Sequence, residues 1–367
     1  MKSILEKYAH LLVNYCVSLQ TGERVLIKAP IEAEPLVREV YREALKAGGI
    51  PVTDFDFQGQ RRILLEHGEE VQLSYVSPLY AEAMQNYEAY IYIRGISNHS
   101  EMAEAKNEKN GILNATHAPY RKRYSERTAT LEMKRTLCEY PTLGSAQLAG
   151  MAFEDYQDFI FNACNLYADD PRAEWLKVSE KQQKIVDVLN QRSLIRYKSD
   201  KIDISFRTDG RKWINSDGQT NMPSGEVYTS PVEDSVNGTI HFDYPVVQMG
   251  KYVEGVTLWV EDGEIKKWEA KQGQSVLDHI FHEIEGSRRF GEAAIGTNFN
   301  INRFTKNILF DEKIGGTVHM AIGQSYLQCG GKNQSDIHWD MIADMTQGGQ
   351  IFADDELIYE NGKFLFL

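Results

Sequence analysis

Five side chains in the second half of the sequence carry the donor atoms that divalent metal ions prefer. They lie in glycine-rich segments with the composition of β-strands. Two are imidazoles and three are carboxylates, a set that suits a pair of ions such as Zn²⁺, Co²⁺ or Mn²⁺. Two such ions can together activate a water molecule and polarise a carbonyl group, so the set predicts a hydrolase. The five predicted metal ligands are Glu226, Glu292, His319, His338 and Asp340.

The segment His338-Trp339-Asp340 is the most informative of these. On a β-strand, residues two positions apart point to the same face, so His338 and Asp340 can bind one metal centre while Trp339 packs behind them. Taken alone, such a triplet is more often a surface strand. However, Glu292 in GEAAIG and His319 in VHMAIG lie among small apolar residues. A carboxylate is costly to bury there unless it is paired or bound to a metal, so the combination favours a metal site.

Glu226 and Tyr326 complete the candidate site. Glu226 follows Pro223-Ser224-Gly225, a tight turn that can aim its carboxylate inward. Tyr326 follows His319 by seven residues. A phenol beside two metal ions can donate a hydrogen bond to the oxyanion of a tetrahedral intermediate. The alternative interpretation is a tyrosine at the rim of a strand, and the sequence alone favours that alternative.

A second pair of histidines imitates a metal-binding helix. In SVLDHIFHEIEG, the residues His279, His282 and Glu283 recur at positions i, i+3 and i+4. Their order matches neither HExxH nor HxxEH. The neighbouring acidic residues Asp278 and Glu285 indicate a solvated helix face. We therefore predict no metal site on this helix.

The first part of the chain must form a different kind of structure from the part that carries the donors. Up to about residue 190, apolar segments of strand length alternate with helical patterns. Strands that alternate with helices predict a parallel sheet and an α/β architecture. We therefore expect an N-terminal α/β sheet domain over residues 1–190. Its predicted strands are residues 22–30, 50–57 and 87–95.

After residue 190, short alternating segments predict a β-rich catalytic domain over residues 191–367. Asp-Gly and Asn-Gly dipeptides, which are strong hairpin signals, separate these segments. We expect an antiparallel domain, curved or barrel-like, with one helix near residues 275–285. The predicted metal ligands all lie in this domain. Its five turn dipeptides are Asp209-Gly210, Asp217-Gly218, Asn237-Gly238, Asp262-Gly263 and Asn361-Gly362.

Composition and charge narrow the possible partners. The chain has 367 residues, enough for two domains, and a formal net charge of −13 that disfavours binding to a phosphate backbone. Polar residues interrupt the apolar N-terminus, and no apolar run approaches the length that spans a membrane. The scattered cysteines argue against a disulfide framework and a cysteine-ligated zinc. We expect a cytoplasmic protein that binds neither nucleic acid nor membranes. The cysteines are Cys16, Cys138, Cys164 and Cys329.

These segments together give a resemblance to a known family. The chain resembles the metallo-aminopeptidases of the aminopeptidase T and aminopeptidase S family, specifically through residues 215–345. The places of that family's five metal ligands are occupied by Glu226 in NMPSGEVYTSP, Glu292 in FGEAAIG, His319 in GTVHMAIG, and His338 and Asp340 in IHWDMI. Tyr326 in GQSY occupies the place of its catalytic tyrosine. We take Tyr326 and Glu292 as the candidate catalytic residues.

The resemblance implies an N-terminal α/β domain, a β-rich catalytic domain, two divalent cations and a homodimer that encloses the active sites. It also implies the removal of N-terminal residues from peptides. One departure concerns the stretch between His319 and His338, which contains CGGKNQSD where longer members carry an insertion. That stretch is expected to border the substrate cleft, so the substrate preference does not follow from the resemblance.

The sequence therefore predicts a metal-dependent aminopeptidase that acts on peptides with a free N-terminus. Another metal-dependent amide hydrolase, such as a dipeptidase or a deacylase, is the first alternative, because it would use the same ligands with a different pocket. A non-catalytic protein that binds a small ligand in its α/β half is the second alternative. Such a protein would have no use for five aligned donor residues.

Overall fold

The structure, a computed structural model, describes residues 2–102 and 107–367. Contacts between Cα atoms divide the chain into two compact units. The first unit extends to Glu174 and also includes Gly218–Pro223. The second unit comprises Trp175–Asp217 and Ser224–Leu367. The protein has a mixed α/β fold with several sheets.

The first unit contains a five-stranded sheet in which every pair of strands is parallel. The strand order is β2-β1-β3-β4-β8. The predicted parallel sheet is therefore confirmed. Its strands are β1 (Arg24–Pro30), β2 (Ile50–Asp56), β3 (Ala89–Arg94), β4 (Lys134–Glu139) and β8 (Asn221–Met222).

Helices alternate with these strands, as the sequence pattern predicts. In α2, the residues Leu36, Val37, Val40 and Ala44 recur at helical spacing and are buried, so this helix packs through one apolar stripe. The helix α1 continues into one π-helical turn, Leu12–Cys16. The helices of this unit are α1 (Ile4–Leu11), α2 (Glu34–Lys46), α3 (Gln60–His67), α4 (Glu70–Leu73), α5 (Pro78–Asn86), α6 (Asn107–Ala129), α7 (Leu143–Ala149) and α8 (Phe153–Ala163). The helix α9 (Pro171–Leu189) begins in this unit, and its residues from Trp175 onward belong to the second unit.

The second unit contains two sheets whose strand pairs are all antiparallel. The larger sheet has nine strands in the order β11-β12-β10-β6-β5-β17-β18-β19, with β13 paired to β12. Its strands are β5 (Leu194–Lys198), β6 (Asp203–Arg207), β10 (Asn237–Phe242), β11 (Val246–Gln248), β12 (Lys251–Glu261), β13 (Glu264–Gln272), β17 (Gln350–Ala353), β18 (Glu356–Glu360) and β19 (Lys363–Phe364).

The smaller sheet of the second unit has five strands in the order β16-β15-β14-β9-β7. One apolar core contains buried side chains from both sheets, such as Ile195 and Ile204 from the larger sheet and Ile295 and Met320 from the smaller one. The strands of the smaller sheet are β7 (Ile214–Ser216), β9 (Glu226–Thr229), β14 (Phe290–Gly296), β15 (Thr317–Gly323) and β16 (His338–Asp344), and the helices of this unit are α10 (Gln274–Glu283) and α11 (Ile308–Asp311).

Two of the five turn dipeptides form the hairpins that the sequence predicts. Asp262-Gly263 joins β12 to β13, and Asn361-Gly362 joins β18 to β19. Both residues of each pair have positive φ angles, as a two-residue hairpin turn requires. Asn237-Gly238 was predicted as a turn, and this was wrong because it begins β10. Gly238 has φ +123°, and an added Cβ would lie 2.1 Å from the carbonyl oxygen of Asp203. The glycine is therefore required by a close approach of two strands.

The remaining dipeptides, Asp209-Gly210 and Asp217-Gly218, lie between strands that do not pair with each other. Both were predicted to join neighbouring strands, and this was wrong, since a dipeptide signal carries no information about which strands pair.

The four cysteines are buried thiols. Within the described residues, no helix is long and apolar enough to cross a membrane.

Candidate metal centre

The predicted metal ligands on the neighbouring strands β14, β15 and β16 share one face of the five-stranded sheet of the second unit. His319 on β15 lies opposite Ala294 on β14, and Glu292 is two residues before Ala294. Asp340 on β16 lies opposite Ala321, which is two residues after His319. Residues opposite each other in an antiparallel pair, and residues two positions apart on a strand, point to the same side. Glu292, His319 and Asp340 therefore project from the same side of the sheet.

The same register places the other two predicted ligands on this side. Glu226 on β9 lies opposite Gly296, which is two residues beyond Ala294. His338 is two residues before Asp340, and it lies opposite Gly323. The positions between the donors on this face are therefore occupied by glycine or alanine, which leave space for longer side chains to converge. Trp339 points to the other side and packs in the apolar core, as predicted.

The backbone of Glu226 is fixed by a glycine turn and by a buried amide. Gly225 has φ +118°, and an added Cβ would lie 2.6 Å from the Cβ of Asn298. Gln182 is 1% exposed, and its Nε2 donates hydrogen bonds to the carbonyl oxygen of Glu226 (3.1 Å) and to Asn215 Oδ1 (2.6 Å). This role of Gln182 was not predicted, because Gln182 lies 44 residues before Glu226 in the sequence.

The five side chains meet at close distances. His338 Nε2 lies 3.0 Å from Glu292 Oε2 and 3.6 Å from Asp340 Oδ1. His319 Nε2 lies 3.4 Å from Glu226 Oε2 and 3.8 Å from Glu292 Oε1. All but His338 and Asp340 are buried, and these two are partly buried. The structure therefore brings all five predicted residues into one cluster.

Glu312 belongs to the same cluster, although it was not predicted from the sequence. Ligand atoms of Glu292, His338 and Asp340 lie within 4.8 Å of one another, and so do those of Glu312, His319 and Asp340. Asp340 is common to both groups. Two neighbouring groups that share a carboxylate are an arrangement that suits two ions, because a carboxylate can offer one oxygen to each.

Several polar atoms of the cluster lack a hydrogen-bond partner among the described residues. They are Glu226 Oε2, His319 Nδ1 and Asp340 Oδ1, and all are buried. A buried polar atom without a partner is destabilising, so it requires an explanation such as an ion. His338 Nδ1 contacts the carbonyl oxygen of Gln324 at 2.8 Å, which orients the ring with Nε2 toward the carboxylates. The donor set therefore fits divalent metal ions.

The electrostatics of the cluster also favour cations. Burial lowers the pKa of His319, but Glu292, Glu226 and Asp340 outweigh it and raise this pKa to about 9. The pKa of His338 is likewise raised against burial, by Asp340 and Glu292. Burial raises the pKa of Asp340, but the positive charge of His338 outweighs it, so this pKa is lowered. The metal-free cluster thus keeps protons on both rings at neutral pH.

Tyr326 lies at the edge of this cluster. Its hydroxyl is 3.3 Å from His338 Nε2, and its ring contacts those of His338 and Tyr228 at centroid distances of 5.0 and 5.2 Å. The backbone N–H of Tyr326 donates to Ser230 Oγ, which in turn donates to the carbonyl oxygen of Gly291, next to Glu292. Burial and the charge of Glu292 raise the pKa of Tyr326 well above its usual range, so the hydroxyl keeps its proton.

Glu312 and its neighbour Lys313, like Gln182, were not predicted from the sequence. They follow α11, and Lys313 is completely buried. Lys313 Nζ lies 3.6 Å from Glu226 Oε1 and bonds to Glu312 Oε1. The run Asp311-Glu312-Lys313 resembles a solvated loop in sequence, and its position shortly before His319 was the only available signal.

The helix with the second pair of histidines has the solvated face that was predicted. His279, His282 and Glu283 are exposed on α10. The ring of His282 packs against Trp268 with centroids 5.3 Å apart. These residues therefore contribute nothing to the cluster.

A buried set of imidazoles and carboxylates on one face of a sheet has the donor chemistry of a metal-dependent hydrolase. Comparison with known proteins then identifies the family. The chain belongs to the thermophilic metalloprotease (M29) family, whose model matches residues 1–364. The resemblance stated from the sequence is confirmed, and the protein is a metal-dependent peptide hydrolase.

Two similar proteins and one solved structure agree with this family. Aminopeptidase 2 of Geobacillus stearothermophilus is 28% identical, over 99% of this chain and 98% of its own length. Aminopeptidase T of Thermus thermophilus is 25% identical, over 98% of this chain and 96% of its own length. The solved structure of wild-type AmpT from Thermus thermophilus has a TM-score of 0.85 at 24% identity and covers 99% of both chains, so it has the same fold.

Proposed function

We propose that this protein is an aminopeptidase that removes N-terminal residues from peptides with the help of two divalent ions, Zn²⁺, Co²⁺ or Mn²⁺. The observation that carries the proposal is the buried cluster of donors in which two groups share Asp340. The similar proteins described above are aminopeptidases. Their names support the exopeptidase character, and the cluster supports the metal dependence.

The donors divide between the two proposed ions. Glu292, His338 and Asp340 would hold one ion. His319 and Asp340 would hold the other, together with Glu226, whose Oε2 lies 3.4 Å from His319 Nε2. Glu312 is a further carboxylate donor for this second ion. Each ion would thus have one imidazole, and the remaining ligands would be oxygens.

The chemistry follows from these positions. When bound, the ions would polarise the scissile carbonyl as Lewis acids. They would also lower the pKa of a bound water toward neutrality, so that it can act as the nucleophile at neutral pH. Gln324 fixes the ring of His338 through Nδ1. Glu292 is the proposed proton carrier, because its oxygens face both histidines, and it would pass the proton of the attacking water to the leaving amine. The hydroxyl of Tyr326 would donate a hydrogen bond to the developing oxyanion.

A free N-terminus suits the charge of this site. An α-ammonium group brings a positive charge and hydrogen-bond donors, which carboxylates accept. The net charge of −13 further favours cationic substrates over anionic ones, although only through the long-range field.

We further propose a cytoplasmic homodimer in which residues 1–190 form an α/β domain and residues 191–367 form the catalytic domain. All five predicted metal ligands and Tyr326 belong to the second compact unit, which supports this division of labour. A curved or barrel-like form of the nine-stranded sheet is part of the proposal, because twisted sheets of about this size tend to curl.

The test separates the proposed activity from its alternatives. Metal-free protein reloaded with Mn²⁺, Co²⁺ or Zn²⁺ is assayed on aminoacyl anilides, on dipeptides and on N-acylated amino acids. The proposal expects hydrolysis of the anilides and of longer free peptides, and none of the acylated compounds. Activity confined to dipeptides would indicate a dipeptidase, and activity on acylated compounds would indicate a deacylase.

A further inference from the structure

The buried lysine beside the donors is the feature of this site that metal binding alone does not explain. Lys313 has no exposed surface. Its Nζ contacts Glu226 Oε1 at 3.6 Å and bonds to Glu312 Oε1. One ammonium group therefore holds one oxygen of each of two carboxylates, while Glu226 Oε2 stays turned toward His319.

The carboxylates of this cluster outnumber its two imidazoles, so its negative charge is not fully compensated even when both rings are protonated. The cluster contains four carboxylates within a short distance, on Glu226, Glu292, Glu312 and Asp340. Buried charges are stable only when they are paired and hydrogen-bonded. Lys313 is the fixed cation that pairs with two of these carboxylates. The ammonium group and a bound metal ion therefore compete for the same carboxylates and repel each other.

We propose that Lys313 is a built-in counter-cation of the metal centre. It compensates the carboxylates of Glu226 and Glu312 when the ions are absent, so the metal-free protein stays folded. For the same reason it weakens the binding of the ions that share these carboxylates. Lys313 is thus a positioning residue that acts through Glu226 and Glu312. The inference rests on the proposed metal centre.

The opposite role would be a lysine that only orients Glu226 for the metal. The two roles differ in the sign of one observable quantity. If Lys313 only orients a ligand, its removal weakens metal binding. If Lys313 compensates charge, its removal destabilises the metal-free protein and strengthens metal binding, because the repulsion is lost while the carboxylates remain.

The experiment measures the melting temperature with and without Mn²⁺ and the Kd for Mn²⁺ by calorimetry. In Lys313→Met, we expect the metal-free melting temperature to fall by about 6 °C or more. The shift produced by Mn²⁺ should exceed that of the unsubstituted protein, and the Kd should fall about tenfold or more. Lys313→Arg keeps the charge and should restore a Mn²⁺-induced shift close to that of the unsubstituted protein.

The chain offers a matched control in the first unit. Lys28 Nζ also lies between two carboxylates, 3.1 Å from Asp54 Oδ2 and 3.2 Å from Asp56 Oδ2. Lys28→Met therefore removes a similar pair of contacts in the compact unit that does not carry the donors. Its Mn²⁺-induced shift and its Kd should equal those of the unsubstituted protein.

A Lys313→Met protein whose Mn²⁺-induced shift is equal or smaller overturns the inference. If this variant cannot be kept folded without metal, the double variant Lys313→Met with Glu312→Gln tests the inference instead. It removes one negative and one positive charge, so the carboxylate that Lys313 compensates is removed together with the lysine. We expect the double variant to fold without metal, and a double variant that stays unfolded also overturns the inference. An unsubstituted protein that binds no Mn²⁺ would instead reject the proposed metal centre.

Discussion

Metal binding to this protein should release protons, because both imidazoles of the cluster are protonated in the metal-free state. Neighbouring carboxylates raise the pKa of His319 to about 9 and that of His338 to about 12. A metal ion binds only the neutral ring, so a proton must leave first. His338 Nδ1 is engaged by Gln324, so its proton leaves from Nε2. The ion at His338 should therefore displace about one proton. The ion at His319 should displace one from the ring and a further fraction from Glu312, because burial raises the pKa of that carboxyl to about 8.

The pKa values set the size and the sign of the effect. A ring with a pKa of about 9 is neutral in only about 1% of molecules at pH 7, so protons weaken metal binding about 100-fold there. A rise in pH relieves this competition. Between pH 6.5 and 8.5, the apparent Kd for the ion at His338 should fall about tenfold per pH unit, and that for the ion at His319 about tenfold or more. The dependence for the ion at His319 should level off above pH 9.

Calorimetric titration with Mn²⁺ measures both quantities. The heat of binding at one pH in buffers of different ionisation enthalpy gives the number of protons released, and titrations at several pH values give the slope. His319→Gln should release about one proton fewer, whereas His279→Ala on the exposed face of α10 should behave like the unsubstituted protein. A heat independent of the buffer, together with a Kd independent of pH, would show that the rings are not protonated in the metal-free protein.

Three further predictions concern single side chains. His338→Ala or Asp340→Ala removes a donor, so the metal content measured by mass spectrometry should collapse while the circular dichroism spectrum stays unchanged. If His279→Ala loses the metal instead, the predicted histidine ligands are the wrong ones. Tyr326→Phe should lower kcat by roughly 10²–10³ with KM and metal content little changed, and unaltered turnover would reduce Tyr326 to a packing residue. Gln182→Ala leaves buried acceptors without a donor, so the free energy of unfolding measured in urea should fall by about 2 kcal/mol or more. An unchanged midpoint of the urea unfolding curve would contradict this prediction.

The arrangement of the donors within the sheet could be predicted because a β-strand has a period of two residues. His338 and Asp340 project to one side for this reason, and the apolar context of His319 and Glu292 indicated buried strands. The parallel sheet of the first unit followed from alternating strands and helices. These features depend on local sequence, which a single chain displays directly.

Other parts of the site depend on contacts between distant segments, and the sequence could not show them. Gln182 reaches Glu226 from a helix, and nothing in its own segment indicates a polar role. Lys313 and Glu312 look like exposed charges in the sequence, yet the fold buries Lys313 completely and Glu312 partly, beside Glu226 and His319. Gly238 looks like a hairpin turn, yet its conformation is required by a neighbouring strand. Pairing between distant elements decides each of these cases.

The most direct test of metal-dependent aminopeptidase activity follows one peptide in free and N-acetylated forms by mass spectrometry. Both forms are incubated with metal-free protein and with protein reloaded with Mn²⁺. We expect a ladder of products shortened one residue at a time, only from the free peptide and only with the reloaded protein. A site built around a free amine should discriminate against the acetylated form by on the order of 10⁴. Internal cleavage, equal turnover of both forms, or full activity without metal would contradict this expectation.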